Sequence, residues 1–145
     1  MIASLPLLIS KVESADNPSA LRFEPAVFDR IRNSEWTIVL ESIVRFNRCT
    51  RDTARVVYSC SWGRYQIMGL NVYGACEVQS PIAEFLANGD LQDAALHNFL
   101  ARIECDQITP ADLLQDEAKR TKFITRYNGP GNVEAYWARL LPYLS

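Results

Sequence analysis

Two glutamates stand where acid–base chemistry is feasible. Glu13 lies in "KVESADNP" (11–18), just after Leu5, Leu8, Ile9 and Val12, whose spacing predicts an amphipathic helix. It follows Ile9 by one helical turn and adjoins Val12, which places it at the edge of the buried stripe. It also falls in the last turn of that helix, where the macrodipole disfavours a negative charge. Partial burial and the helix end both favour the protonated carboxyl. A glutamate that keeps its proton near neutral pH is a general acid. The plainer role is an exposed residue that frays the helix end.

Glu24, in "LRFEPAVF" (21–28), precedes Pro25 and is therefore expected in extended backbone just outside the next helix. Its plainer role is a carboxylate that complements that helix's N-terminus. Two carboxylates on neighbouring short elements are also the equipment of glycoside hydrolysis.

Other chemistries find little support. None of the cysteines (Cys49, Cys60, Cys76 and Cys105) forms a C-x-x-C pair, and His97 is the single histidine. No metal site or other cofactor is expected, and the thiols are expected to be free and mostly buried. The formal net charge of −2 argues against nucleic acid as a partner. Arg45, Arg48, Arg51, Arg55 and Arg64 face only Asp52 in their stretch, which reads as a solvated basic loop. The apolar run Leu5–Ile9 contains Pro6, is too short to span a membrane and lacks the flanks of a signal peptide. No membrane insertion is expected.

The elements that must carry these residues are mostly helices. With 145 residues, 48% of them hydrophobic and 22% charged, the chain suits a single domain, 1–145. Ser4 can cap the first helix, and further helices are expected across Pro25–Asn33 and within 35–47. Ser80-Pro81 opens another, closed by Asn88-Gly89, and Asp90 can cap the next, with Leu96, Phe99, Leu100 and Ile103 on one face. Thr109-Pro110 starts a helix that runs to "YNGPG" (127–131). Asn132 then caps a last helix carrying Val133, Tyr136, Trp137, Leu140 and Leu141. Ala54–Tyr58 is the best strand candidate, as part of a small hairpin.

The stretch "YSCSWGRYQIMG" (58–69) fits neither a clean helix nor a clean strand. Taken with "KVES", "RFEPAVFDRI" and "RYNGPG", in that order, it resembles the phage-type N-acetylmuramidase (endolysin) family of the lysozyme-like superfamily. That family is distantly similar to the soluble lytic transglycosylases. The blocks cover positions 11–131. The resemblance implies a predominantly α-helical α+β fold, lysozyme-like, with a small β-hairpin region beside the catalytic cleft.

It further implies cleavage of the β-1,4 bond between N-acetylmuramic acid and N-acetylglucosamine, with Glu13 as the acid. Glu24 or Asp16 could serve as a second carboxylate. Ser61 and Gln66 would offer hydrogen bonds to an acetamido sugar, Trp62 and Tyr65 flat apolar faces, and Gly63 a close approach of the glycan. Tyr127 and Asn128 would return beside the glutamate to orient it and contact substrate. Ile67 and Met68 read as core. The family often has Leu-Phe where this chain has Arg64-Tyr65, a change expected to alter the sugar contacts.

A lytic transglycosylase, or a non-catalytic glycan-binding piece of a phage particle, would satisfy the same residues. The implied partner is the glycan strand of peptidoglycan. The implied location is the host cytoplasm before a holin-dependent release to the wall, or the virion itself.

Overall fold

The computed structural model describes residues 4–31 and 37–145. It is predominantly helical, with one small antiparallel sheet, the α+β arrangement that the lysozyme-like resemblance implies.

Helix α1 (Leu5–Ser14) starts at Ser4, whose hydroxyl accepts the Leu7 N–H at 3.4 Å, with Pro6 tolerated in its first turn. Leu8 and Ile9 are completely buried. The helix ends where Ala15 and Asp16 take left-handed backbone, φ 52° and 68°, and the Asp16 N–H returns to Ser10 O at 3.1 Å.

Strand β1 (Leu21–Phe23) follows, then α2 (Pro25–Ile31) and α3 (Ile38–Asn47). The outer limits expected for these two helices, Asn33 and residue 35, lie outside the described residues. Ala54–Tyr58 is not a strand: it belongs to α4 (Arg51–Tyr58), whose cap Thr50 accepts the Thr53 N–H at 3.2 Å. Ala54 and Val57 turn one apolar face inward while Val56 stays exposed. Capping and this period-three burial outweigh the strand preference of adjacent valines. Of the basic stretch, Arg45, Arg51 and Arg55 are accordingly helical, while Arg48 is the left-handed cap of α3 and Arg64 lies in the turn after β2; Arg55 pairs with Asp52 at 3.3 Å.

The sheet is β1 with β2 (Cys60–Trp62) and β3 (Ile67–Met68), all antiparallel. Leu21 pairs with Trp62 and Ser61 with Met68. Gly63, at φ +76°, and Gln66, at φ +50°, form the turn between β2 and β3. Helix α5 (Gly69–Val72) leaves β3 and lies on α4. A Cβ at Gly69 would sit 1.9 Å from Val57 O, so only glycine permits that approach.

The remaining helices are α6 (Ile82–Ala87), α7 (Gly89–Arg102), α8 (Pro110–Gln115), α9 (Glu117–Asn128) and α10 (Val133–Leu144). Two boundaries differ from expectation. Asn88, not Asp90, caps α7, accepting the Leu91 N–H at 3.1 Å. The helix opened by Thr109-Pro110 breaks at Asp116, which leaves helical backbone and caps α9 through the Lys119 N–H at 3.0 Å. Helix α10 packs on α1 and brings its buried Tyr136, Leu140 and Leu144 against the start of the chain. That contact sets the back wall of the site.

Candidate active site

The C-terminus of α1, the β2–β3 turn and the C-terminus of α9 are distant in sequence and are tied together by side chains from the motif blocks. Ser14, next to Glu13, donates its hydroxyl to Arg64 O at 2.7 Å. The Tyr127 hydroxyl donates to the adjacent carbonyl, Tyr65 O, also at 2.7 Å. Two successive carbonyls of the turn are thus held, one by the "ES" block and one by the "YN" block. Gln92, a buried glutamine on α7, fixes the turn from behind. Its Oε1 accepts the Arg64 N–H at 2.8 Å, while its Nε2 donates to Pro18 O at 2.9 Å and to Phe85 O and Leu86 O at 3.2 Å.

Between these segments lies a cleft of about 380 Å³. Glu13, Glu24, Ser61, Gln66, Tyr127 and Asn128 line it together with Arg22, Val27, Met68, Asn132 and Arg139. Six of the eight residues expected at the site therefore share one cavity. Asn132 starts α10 without a side-chain capping bond and faces this cleft instead. Met68, expected in the core, is only half-buried on the cleft wall, where its sulfur accepts the Ser61 hydroxyl at 3.4 Å.

Glu13 is half-buried, and loss of hydration raises its pKa above the ordinary carboxyl value of 4.5. A hydrogen bond from the Tyr136 hydroxyl to Glu13 Oε1 and the positive charges of Arg139 and Arg22 act in the opposite direction, and burial prevails. Arg139 lies 5.3 Å from the centre of the Tyr136 ring and donates to Val12 O at 2.8 Å, so it braces the tyrosine and the glutamate's own helix together. Glu24 lines the same cleft, its N–H given to Ser59 O at 2.9 Å and its carboxylate 3.0 Å from Arg22 Nε.

Several expectations take a different form. The Trp62 ring is buried and its indole N–H is committed to Val57 O at 2.9 Å, so it presents no face to the cleft. Tyr65 is also buried and points the other way, its hydroxyl 2.5 Å from Asp93. Its neighbour Arg64 faces Asp16 at 3.5 Å and Asp93 at 3.8 Å. The Arg64-Tyr65 pair thus lines a separate cavity of about 680 Å³ and not the cleft that holds Glu13. Asp16 lines that second cavity too, bound by the Ser10 hydroxyl, which leaves Glu24 as the second carboxylate beside Glu13. The tight approach at Gly63 is to protein: a Cβ there would stand 2.5 Å from Gln92 Oε1. The hydroxyl bonded to Glu13 is that of Tyr136, while that of Tyr127, on the same cleft, goes to Tyr65 O.

Tyr136 and Gln92 escape sequence reasoning because both lie on the inward face of helices that read as plain core. The signal for Gln92 was present: it shares the buried stripe of Ala95, Leu96 and Phe99, and a polar side chain in such a stripe needs partners.

Residues 32–143 match the N-acetylmuramidase family. The chain belongs to that family. It is a peptidoglycan-degrading muramidase by the same match. Over 124 residues it is also 38% identical to the endolysin of Enterobacteria phage PRD1, covering 84% of this chain and 83% of that one. No solved structure matches the chain. The family match begins beyond both Glu13 and Glu24, so the roles of these carboxylates are argued from the cleft itself.

Proposed function

We propose that this muramidase is a hydrolase in which Glu13 is the general acid and Glu24 the second carboxylate, with residues 1–145 acting as one catalytic unit. The observation that carries the proposal is the half-buried Glu13 carboxyl, its pKa raised by burial, in one cleft with Glu24, Gln66, Tyr127 and Asn128.

The Tyr136 hydroxyl occupies Glu13 Oε1, which leaves Oε2 to carry the transferable proton. That proton passes to the glycosidic oxygen between N-acetylmuramic acid and N-acetylglucosamine as the bond to the muramic anomeric carbon breaks, its electron pair staying with the departing oxygen. Glu24 stabilises the oxocarbenium-like sugar that develops. Water then bonds to the anomeric carbon, and Glu13, now a carboxylate, takes the proton it sheds. Ser61, Gln66 and Asn128 supply polar contacts to the sugars. The presence of Glu24 in the cleft favours hydrolysis, because cyclisation onto the muramic hydroxyl uses a single carboxyl.

The similarity to a protein named endolysin supports a role in lysis. The enzyme is held in the host cytoplasm and reaches the wall by a holin-dependent route. Among the described residues no helix is long and apolar enough to cross a membrane, which fits delivery by other machinery. Mass spectrometry of digested wall tests the chemistry. Products ending in reducing muramic acid are expected; anhydro products, lighter by one water, would overturn hydrolysis.

A further inference from the structure

We propose that Arg22 and Arg139 form a recognition pair for carboxylates carried by the wall strand, so that the cleft selects acid-bearing muramyl units over neutral chains of N-acetylglucosamine. This deepens the muramidase function argued above and rests on it.

The cleft is charged differently from the molecule around it. The chain as a whole has a formal net charge of −2. The charged residues lining the cleft are Glu13, Glu24, Arg22 and Arg139, and while Glu13 holds its proton the two guanidiniums outnumber the one carboxylate. A cleft with excess positive charge and a polar wall attracts an anionic ligand and repels a cationic one. Neutral chitin-type strands gain nothing from that charge. Each muramic unit, in contrast, bears a lactyl acid, either free or extended into a peptide that ends in carboxylates.

The two arginines also have donors to give. A guanidinium carries N–H groups in a planar fork suited to a carboxylate. Arg22 places Nε against Glu24 at 3.0 Å, and Arg139 gives one Nη to Val12 O at 2.8 Å. Remaining N–H groups on both are available. Arg139 is braced by its contacts with Val12 and the Tyr136 ring, so little of its freedom is lost on binding. Arg22 is 70% exposed on a strand whose two neighbouring side chains are also exposed, and it can turn toward a ligand with little obstruction. Their position beside Glu13 sets a bound carboxylate close to the scissile bond.

The test uses the Glu13→Gln protein, so that ligands survive titration. Three soluble probes are compared by calorimetry: uncross-linked peptidoglycan strands, the same strands stripped of peptide by an amidase, and chitohexaose. Glu13→Gln is expected to bind the peptidoglycan strands about tenfold more tightly than chitohexaose at low salt, with the advantage shrinking as ionic strength rises. Adding Arg22→Gln or Arg139→Gln should reduce that advantage severalfold, whereas Arg139→Lys should retain most of it. Circular dichroism checks each fold, and Arg22, exposed on its strand, gives the variant least prone to disturb it. If the stripped strands keep the advantage, the lactyl acid is the ligand; if they lose it, the peptide carboxylates are. Equal affinity for all three probes, or an advantage that survives removal of both arginines, overturns the proposal. Failure of the wild-type protein to release reducing ends from wall would instead refute the muramidase function, whatever the binding arms show.

Discussion

The Tyr136 hydroxyl donates to Oε1 of Glu13 across a sequence separation of 123 residues. Helices α1 and α10 thus meet at the proposed acid. The bond does two things at once: it seats the carboxyl, and it favours the ionised form against the burial that opposes it.

Removal of the phenol separates these effects. Tyr136→Phe should raise the Glu13 pKa further, since a bond that lowers it is lost. The acid is active when protonated, so the alkaline limb of the kcat/KM profile should move to higher pH. A profile unchanged in position would mean that the titrating group is not Glu13.

Glu13→Gln should reduce wall clearing by roughly a thousandfold or more while the protein stays folded. Turbidity of a cell-wall suspension reads the first outcome and circular dichroism the second. The same variant has a signature in stability. Because the native state binds the Glu13 proton more tightly than the unfolded chain, the group's contribution is intact below 4.5 and is lost as pH rises through its higher folded value. Denaturation midpoints of wild type relative to Glu13→Gln should therefore fall between acid and neutral pH.

Glu24 and Asp16 should behave oppositely. Glu24→Gln, in the cleft, should reduce kcat about a hundredfold or more, in the range of a lost electrostatic stabiliser of the transition state. Asp16→Asn, on the other cavity and in left-handed backbone that asparagine tolerates, should leave kcat within about twofold. Steady-state kinetics on soluble strands distinguishes them.

Gln92→Leu should destabilise the protein by about 2–4 kcal/mol, since it removes the partner of the part-buried Arg64 N–H and of the buried Phe85 carbonyl along with those of Pro18 and Leu86. Gly63→Ala should cost about 1–2 kcal/mol from its φ alone, with a further penalty because the new Cβ would stand 2.5 Å from Gln92 Oε1. Urea denaturation measures both.

The sequence made some of this visible and concealed the rest for physical reasons. Glu13 was legible because helical periodicity places it at a stripe's edge, and that property is local. Glu24 was legible because a following proline restricts its backbone. The direction of Asp16 was not, because left-handed backbone at both Ala15 and Asp16 turns the side chain toward Ser10 and the second cavity. Trp62 and Tyr65 carry the right chemistry for stacking on sugars. Their burial depends on Val57 and Asp93, neither adjacent in sequence. The helix at 51–58 was missed because paired valines suggest a strand, whereas the Thr50 cap and the inward face decide for a helix.

The packing of α10 on α1 also sets an order of events during synthesis. The glutamate leaves the ribosome 123 residues ahead of the phenol that seats it. A nascent chain that stops short of position 136 would display every recognisable motif and still hold no finished acid. For an enzyme that dissolves walls, the wait for Tyr136 is thus itself a safety catch.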